Sequence, residues 1–405
     1  MKRASHLIFS ASIVAFVPTA AFAATLGRMT PAEPLTENRI ATLPEAGQSA
    51  WLAYLARSQT QMEADKAALA AERASLAGSA LAIPAAAPSH GGGDGGMPRN
   101  RPAAWHGTPE ARHVADNIVS FQTPAGGWGK NVDRTGPVRQ RGQPYVSFEG
   151  KESWNFIGTI DNNATTSEIR FLVRVQAQTP GVAGDVYRAS ALKGISYLLN
   201  SQYPNGGFPQ VYPLQGGYHD AITFNDDAFS SVLQLLLDVA ARKGDFAFVP
   251  ESTASEVRMA AEKALKVALA SQIVVGGVRT GWCQQHDALT LAPVGARNFE
   301  PAALASFESA RLLMVMMALP EPTPEVKASV NAGMLWLERT ALPGASPVWS
   351  RYYNLQTMKP IFGDRDRSIH DDVKEISEER QKGYGWFGSG PARAVSIYAT
   401  WPGKL

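Results

Sequence analysis

Two short polar clusters stand out in the 405-residue chain, Asp161-Asn162-Asn163-Ala164 and Asn225-Asp226-Asp227-Ala228. Carboxylates and side-chain amides are hard oxygen ligands, the donor set calcium takes, with waters filling its remaining positions. Asp161, Asn162 and Asp226 sit at matching points of the two clusters, so a fold that brought them together would build a cation site. The competing use is helix N-capping, in which Asp and Asn satisfy free backbone N–H groups. The doubled acid in Asn225-Asp226-Asp227 exceeds what a cap needs. A second concentration of chemistry lies toward the C-terminal end. Lys359-Pro360 leads into Asp364-Arg365-Asp366-Arg367, then Glu378-Glu379-Arg380 and Gly383-Tyr384-Gly385-Trp386. Guanidinium forks bind carboxylates and rings stack on apolar sugar faces, so this stretch suits an anionic, ring-shaped ligand. Ordinary surface ion pairs, such as Glu378 with Lys382 one helical turn on, account for the same composition.

Other chemistries fall away. His286-Asp287 has no second His at ligand spacing, so a structural or substrate-contacting His is expected there. Cys283 is the single Cys, which excludes disulfide scaffolds and multi-cysteine metal sites. Beside Trp282 it reads as a small buried apolar residue. No nucleophile elbow, phosphate loop or dinucleotide fingerprint is present. Lys2 and Arg3 precede an apolar run from Leu7 to Val17, and Ala21-Phe22-Ala23 offers small residues for cleavage. Residues 1–23 are therefore predicted to be a secretory leader, cut before Ala24. Losing Lys2 and Arg3 leaves 36 basic residues against 36 acidic ones, with no bias toward nucleic acid. No later apolar run is long enough for a membrane span.

The elements that must position these groups repeat. Gln122-Thr-Pro-Ala-Gly126-Gly127-Trp128 is echoed by Gln202-Tyr-Pro-Asn-Gly206-Gly207-Phe208, and more loosely by Ser271-Gln272, Gly276-Gly277 and Gly281-Trp282. Each copy follows a helical pattern, such as Arg112 to Phe121. Each is followed by a polar cluster expected to open another helix: Asp161–Ala164, Asn225–Ala228, and Asn298-Phe299-Glu300-Pro301 before Leu304 to Met317. Repeated helical hairpins that bury one face each must stack or close into a ring. The predicted fold is mainly α, an (α/α)3 toroid of three hairpins, with its loops gathered at one end. Extended runs are short, Val348 to Tyr353 being the best. Upstream, residues 49–77 read as one helix capped by Ser49, with Leu55, Met62, Leu69 and Leu76 every seven residues. Ser58, Asp65 and Glu72 occupy the second position a coiled coil would need, so this single stripe is expected to dock on a neighbouring surface or stay mobile. Pro84 to Gly96 reads as a flexible linker. The expected divisions are a leader (1–23), an N-terminal helical segment (24–83), a Pro/Gly-rich linker (84–101) and a catalytic toroid (102–405).

Gly-Gly-Trp-Gly-Lys-Asn (126–131), Thr-Ile-Asp-Asn-Asn-Ala-Thr (159–165), Tyr-Pro-Asn-Gly-Gly-Phe-Pro-Gln (203–210) and Thr-Phe-Asn-Asp-Asp-Ala (223–228) resemble the motifs of family 10 pectate lyases. So do Trp-Cys-Gln-Gln-His-Asp (282–287), Lys-Pro-Ile-Phe (359–362) and Glu-Glu-Arg-Gln-Lys-Gly-Tyr-Gly-Trp (378–386). The resemblance runs in order over about residues 103–392 and implies an (α/α)3 toroid that cleaves polygalacturonate by β-elimination with calcium. By motif, Asp161, Asn162 and Asp226 match the calcium and substrate-carboxylate site, and Arg380 matches the arginine that acts as base. Arg297, Lys359 and Arg365 resemble substrate-binding positions, and Lys130 and Tyr384 lie within matched motifs as further substrate contacts. Two departures are visible. Gln381-Lys382 follow Arg380 where relatives often carry more arginines, and Arg367 competes with Arg365 for one position.

The implied reaction removes the proton on C5 of a uronate, next to its carboxylate, and expels the oxygen on C4. Cations offset the carboxylate charge and stabilise the enolate-like charge that builds. Arginine is a strong base only in its neutral form, a small fraction at ordinary pH. The implied product is a 4,5-unsaturated oligogalacturonide from a secreted or periplasmic monomer. Two other readings of the same chain are a terpenoid-cyclase-like toroid, for Gln-x-x-x-Gly-x-Trp at 122–128, and a non-catalytic sugar-binding toroid. The leader and the lack of a cyclase acid motif oppose the first, and the second would not need Arg380.

Overall fold

The computed structural model describes residues 25–77, 82–91, 95–147 and 152–405. The leader assigned to residues 1–23 lies outside them. After α1 (Glu45–Ala74) come α2 (Pro109–Ser120), then α3 (Thr166–Ala177), α4 (Val182–Ser201), α5 (Ala228–Ala240), α6 (Glu251–Ser271), α7 (Ser306–Met317) and α8 (Pro324–Thr340). A short α9 (Glu378–Gly383) and α10 (Pro391–Ala399) close the chain. Three antiparallel hairpins, α3–α4, α5–α6 and α7–α8, make an (α/α)3 toroid. Helix α5 is buried on most sides through Ala228, Phe229, Val232, Leu233, Leu235, Leu236 and Val239, as an inner helix must be. Its partner α6 buries one stripe, including Val257, Ala261, Ala264 and Ala268, and turns its charges outward. Helix α2 packs on the first hairpin and α10 on the third. No helix among the described residues is long and apolar enough to cross a membrane.

The three Gly-aromatic turns share one fastening. Gln122 Nε2 donates to the carbonyls of Gly126 (2.7 Å) and of Ser190 on α4 (3.0 Å). Gln202 Nε2 does so to Gly206 (3.0 Å) and Ala260 on α6 (2.8 Å). Gln272 Nε2 reaches Thr280 (2.8 Å) and Ser329 on α8 (3.0 Å), so the loosest copy in sequence keeps the same geometry. Gly126 and Gly206 have φ of 107° and 102° and lie so close to the next outer helix that a Cβ would meet the carbonyl oxygens of Lys193 and Lys263 at 2.7 and 2.4 Å. Only glycine serves there. Past each turn a two-residue antiparallel bridge ties one repeat to the next: Gly158–Thr159 with Val211–Tyr212, Ile222–Thr223 with Gln285–His286, and Leu304–Ala305 with Tyr352–Tyr353. Leu304 and Ala305 are thus extended, and α7 starts at Ser306 rather than at Leu304. Trp349–Ser350 and Tyr352–Tyr353 are the strands expected in Val348 to Tyr353.

The N-terminal region differs most from expectation. Helix α1 begins at Glu45, straight after Pro44, so Gly47 falls in its first turn and Ser49 caps nothing. It is docked rather than mobile. Trp51 and Tyr54 pack their rings 5.1 and 4.8 Å from Tyr203, and the Tyr54 hydroxyl donates to the Ser201 carbonyl at 2.9 Å. The polar stripe is engaged too, with Ser58 and Asp65 buried and Glu72 half-buried. Ser58 Oγ accepts from the Leu214 amide (2.9 Å), Asp65 is fully buried beside Gln61, and Glu72 receives both guanidinium arms of Arg139. Hydrogen bonding replaces the apolar contact a heptad would have used. The described part of the linker is also fixed. Ala87 and Met97 are buried, His90 N–H donates to the Asn131 carbonyl (2.8 Å), and Arg134 N–H donates to Gly95 (2.8 Å). Helix, linker and toroid share one hydrophobic core.

Candidate functional site

The two acidic turns meet at the pole that carries the bridges. Asp161–Asn163 and Asn225–Asp227 are single 3-10 turns packed against each other, each with positive φ: 52° at Asn162, 60° at Asn163, 49° at Asp226 and 62° at Asp227. Neither α3 nor α5 receives a side-chain cap, so the capping alternative fails for Asp161, Asn162 and Asp226. Sparsely populated backbone conformations held in this way accompany sites more often than simple helix starts.

The turns line an open cleft of about 170 Å³. Asp161, Asn162, Asn225 and Asp226 form its acidic side, while Lys130 and Arg297 supply cations. Lys130 Nζ pairs with Asp161. Arg297 grips Glu300 through its backbone N–H (3.1 Å) and Nε (2.7 Å). Burial works against the Arg297 charge, but the Glu300 hydrogen bonds outweigh it and hold the guanidinium above its usual range. Tyr218 and His219 stack with ring centres 4.0 Å apart, and Trp154 meets His219 edge-on at 4.9 Å. These rings offer a flat apolar wall of the kind that sugar faces use.

The second acidic turn is short of positive charge. Burial, then the charges of Asp161 and Glu308, push Asp226 up to about 6. Burial and Glu308 push Asp227 up to about 7. Asn225 Oδ1 and Gln210 Oε1 line the same cleft, buried and without hydrogen-bond partners. Orphaned oxygen acceptors beside crowded carboxylates fit a hard divalent cation. No group of three or more His, Cys, Asp or Glu at metal-holding separation occurs among the described residues. A cation here would therefore rest on two carboxylates and amide oxygens, with water or ligand oxygens completing its shell.

Arg380 stands beside this cleft, not in its lining. It is 5% exposed at the start of α9, and its guanidinium lies 4.4 Å from the centre of the Phe299 ring. Arg297 and Arg365 approach the same ring, at 4.9 and 5.3 Å. Phe299, buried between Arg297 and Glu300, is thus the shared footing for three guanidiniums. Glu379 bridges Arg380 (Nε, 2.6 Å) and Arg365 (Nε, 2.9 Å), and the Arg380 and Arg365 hydrogen bonds hold its carboxyl down at about 2. Arg367 turns away to Asn298 Oδ1 (3.3 Å), which leaves Arg365 as the one facing Arg380. Tyr384 donates to Glu300 (2.9 Å) and meets the Tyr352 hydroxyl at 2.7 Å, so it props Arg297 through Glu300. Lys359 is exposed and is not among the residues that line the cleft. The Glu378–Lys382 surface pair does form.

Sequence reasoning missed Arg351, Phe299, Glu300 as a partner, and the Trp154–Tyr218–His219 wall. Arg351 pairs with buried Glu308 (3.3 Å) and stacks on Tyr384 at 4.9 Å. Lone residues in variable loops give no spacing signal. His286 is structural: fully buried, it accepts from the Cys283 amide (3.0 Å), and burial drives it down to about 4. Burial likewise raises the Cys283 thiol, which is inert packing.

The pectic acid lyase family model matches residues 122–395. A search of curated proteins gives no match. Among solved structures, a family 10 polysaccharide lyase from Cellvibrio cellulosa is 31% identical with a TM-score of 0.65, over 76% of this chain and 98% of its own. An aspartate-to-alanine mutant of a family 10 lyase from the same organism, in complex with trigalacturonic acid, matches at 31% identity, over the same shares, with a TM-score of 0.66. With its three hairpins and its pole of paired acidic turns and arginines, the chain belongs to the pectic acid lyases, as a polysaccharide lyase of family 10.

Proposed function

We propose that this lyase cleaves polygalacturonate by calcium-assisted β-elimination, with Arg380 as the base. The observation that carries the reading is the pairing of two acidic turns with the cations Lys130 and Arg297 in one cleft, next to the Arg365–Glu379–Arg380 cluster. The complex of its relative with trigalacturonic acid supports the same substrate class. Asp161, Asn162 and Asp226 would hold calcium, which when bound supplies positive charge against the uronate carboxylate. Lys130 and Arg297 take the carboxylates of the chain, with Arg365 beside them, and the Trp154–Tyr218–His219 wall takes sugar faces. Arg380, in its neutral form, receives the C5 proton. The C5–H pair becomes the C4–C5 double bond, the C4–O bond breaks, and the leaving oxygen gains a proton from solvent. The cleft cations stabilise the charge that develops on the carboxylate during this transfer. With residues 1–23 as a leader, the enzyme works outside the cytoplasm, on polymer too large to be imported intact. The test is ultraviolet absorbance of unsaturated ends on polygalacturonate, with calcium and then with a chelator. Absorbance that rises with calcium and stops on chelation is expected. Absorbance that is indifferent to chelation would remove calcium from the scheme, and none at all would remove the substrate.

A further inference from the structure

We propose that residues 25–39 form a strap that positions the loops of the cleft, so that this segment sets substrate affinity without touching substrate. The segment lies outside the residues matched by the family model. Its path is defined by successive contacts along one pole. Leu26 N–H donates to the Ile369 carbonyl (2.7 Å), Met29 N–H to Arg367 (2.8 Å), and the Arg28 guanidinium to the Asp366 carbonyl (2.6 Å). Gly27–Arg28 thereby becomes the third strand of the sheet that contains Phe362–Gly363 and Ser368–His370. Ala32 N–H then donates to Gly295 (2.9 Å), and Leu35 N–H to the buried Asp220 carboxylate (3.0 Å). Arg39 ends the path with a 2.5 Å pair to Asp287. Met29, Ala32 and Leu35 are all buried, so the strap is seated along its length.

Each anchor sits next to a residue of the site. Asp366 and Arg367 flank or follow Arg365, Gly295 precedes Arg297 by two, Asp220 follows Tyr218 and His219, and Asp287 follows Gln285 by two. The anchored loops come from different repeats, and the strap adds to direct ties between them such as the Asn298 amide donating to the Arg365 carbonyl (3.0 Å). Gly295 is moulded to the strap, since a Cβ there would meet the Thr30 carbonyl oxygen at 2.7 Å. Asp220 joins the strap to its own loop by also accepting from the Gly216 amide at 2.9 Å. A segment that only covered core would spread its contacts over the hairpins. This one fastens the loop edges of the cleft, and loops that must be ordered when substrate binds cost affinity. Residues 28, 32 and 39 are positioning residues in this sense.

The proposal rests on the lyase reading for its kinetic arm alone. The test uses the full-length protein with Ala32→Pro, which removes the donor to Gly295, and Arg39→Ala, with Arg39→Lys as the conservative control. On polygalacturonate with calcium, KM is expected to rise about fivefold to tenfold while kcat changes by less than about twofold. Arg39→Lys should recover most of that loss. Hydrogen exchange should quicken at residues 216–220, 295–300 and 365–370 and stay unchanged in α3 to α8. A lowered melting temperature with unchanged KM, or exchange that quickens everywhere alike, would overturn the strap and leave a cover for the core. If Ala32→Pro failed to fold, Arg39→Ala would decide alone, because it deletes only a side chain. If the wild type released no unsaturated ends, the lyase reading would fail separately. Calorimetric binding of trigalacturonate and the exchange pattern would then still judge the strap.

Discussion

Replacing Arg380 by Ala separates catalysis from structure because the two expected losses differ in size. In the structure Arg380 gives the fold a stacking contact on Phe299 at 4.4 Å and an ion pair to Glu379, whose side chain is 55% exposed. The Glu379 end of the pair stands in solvent, where screening leaves little stability in it, and a stacked guanidinium contributes about 0.5–2 kcal/mol. Stability should therefore fall by only about 2 kcal/mol, with helical circular dichroism intact. Loss of a general base costs about 10²- to 10⁴-fold in turnover. Arg380→Lys should fail almost as badly, since a point charge on a shorter reach cannot keep both the Phe299 face and the fork to Glu379. The assay is the initial rate of unsaturated-end formation at saturating polygalacturonate and calcium, followed from neutral to alkaline pH. The wild-type rate should climb with pH, because only the neutral guanidine accepts a proton. KM should change less than kcat, with Lys130, Arg297 and Arg365 still in place. Folded Arg380→Ala protein with near wild-type kcat would refute the assignment. Lys130, which lines the cleft, would then be the next candidate.

Three further outcomes follow from the same geometry. Asp226→Asn should weaken calcium activation about tenfold or more while the fold persists, as read from calcium titrations of the rate; an unchanged titration would place the cation elsewhere. Asp65 is pushed up from 3.8 to about 6 by burial, so its folded state disfavours the charge and loses stability as pH rises through about 6. Asp65→Asn should accordingly stabilise the protein by about 2 kcal/mol near pH 8 and hardly at all near pH 4, a contrast that urea unfolding at the two pH values would show or deny. A chain starting at Pro102 should lose cooperative folding. It strips Trp51 and Tyr54 from Tyr203 and leaves the Ser201 carbonyl without its donor. A cooperative calorimetric transition in that fragment would contradict the shared core.

The hairpins, the Gly-aromatic turns and the convergence of Asp161 with Asp226 were legible because each recurs, and recurrence at fixed offset is a signal one sequence can carry. Arg297, Arg365, Arg380 and Tyr384 were legible through resemblance, and the structure gathers them around Phe299 and Glu300. Lys359 shared their motif context but is exposed and lies outside the cleft lining. What stayed hidden was held by other means. The strap works through backbone N–H groups of Leu26, Met29, Ala32 and Leu35, and a backbone donor leaves no trace in residue type. Ser58, Asp65 and Glu72 misled because burial of polar residues depends on partners about 60 to 150 positions away, Leu214 and Arg139 among them. The extended Leu304–Ala305 pair was read as helix because its apolar run continues into α7, where periodicity alone cannot find the boundary.

The reach of Gln122, Gln202 and Gln272 has a consequence for how the ring comes apart. Each amide fastens its own turn to the outer helix that belongs to the following hairpin. The hairpins overlap like roof tiles, every one pinned by its predecessor. An open solenoid can fray from an end, losing one unit at little cost to the others. Here a hairpin that lifts away leaves a buried carbonyl on its own helix and a glutamine amide on its neighbour, both unmet at once. The acidic turns of the first and second hairpins sit on opposite sides of such a seam. Opening the seam would therefore dismantle the cleft and the ring together, so partly unfolded protein should hold no residual site.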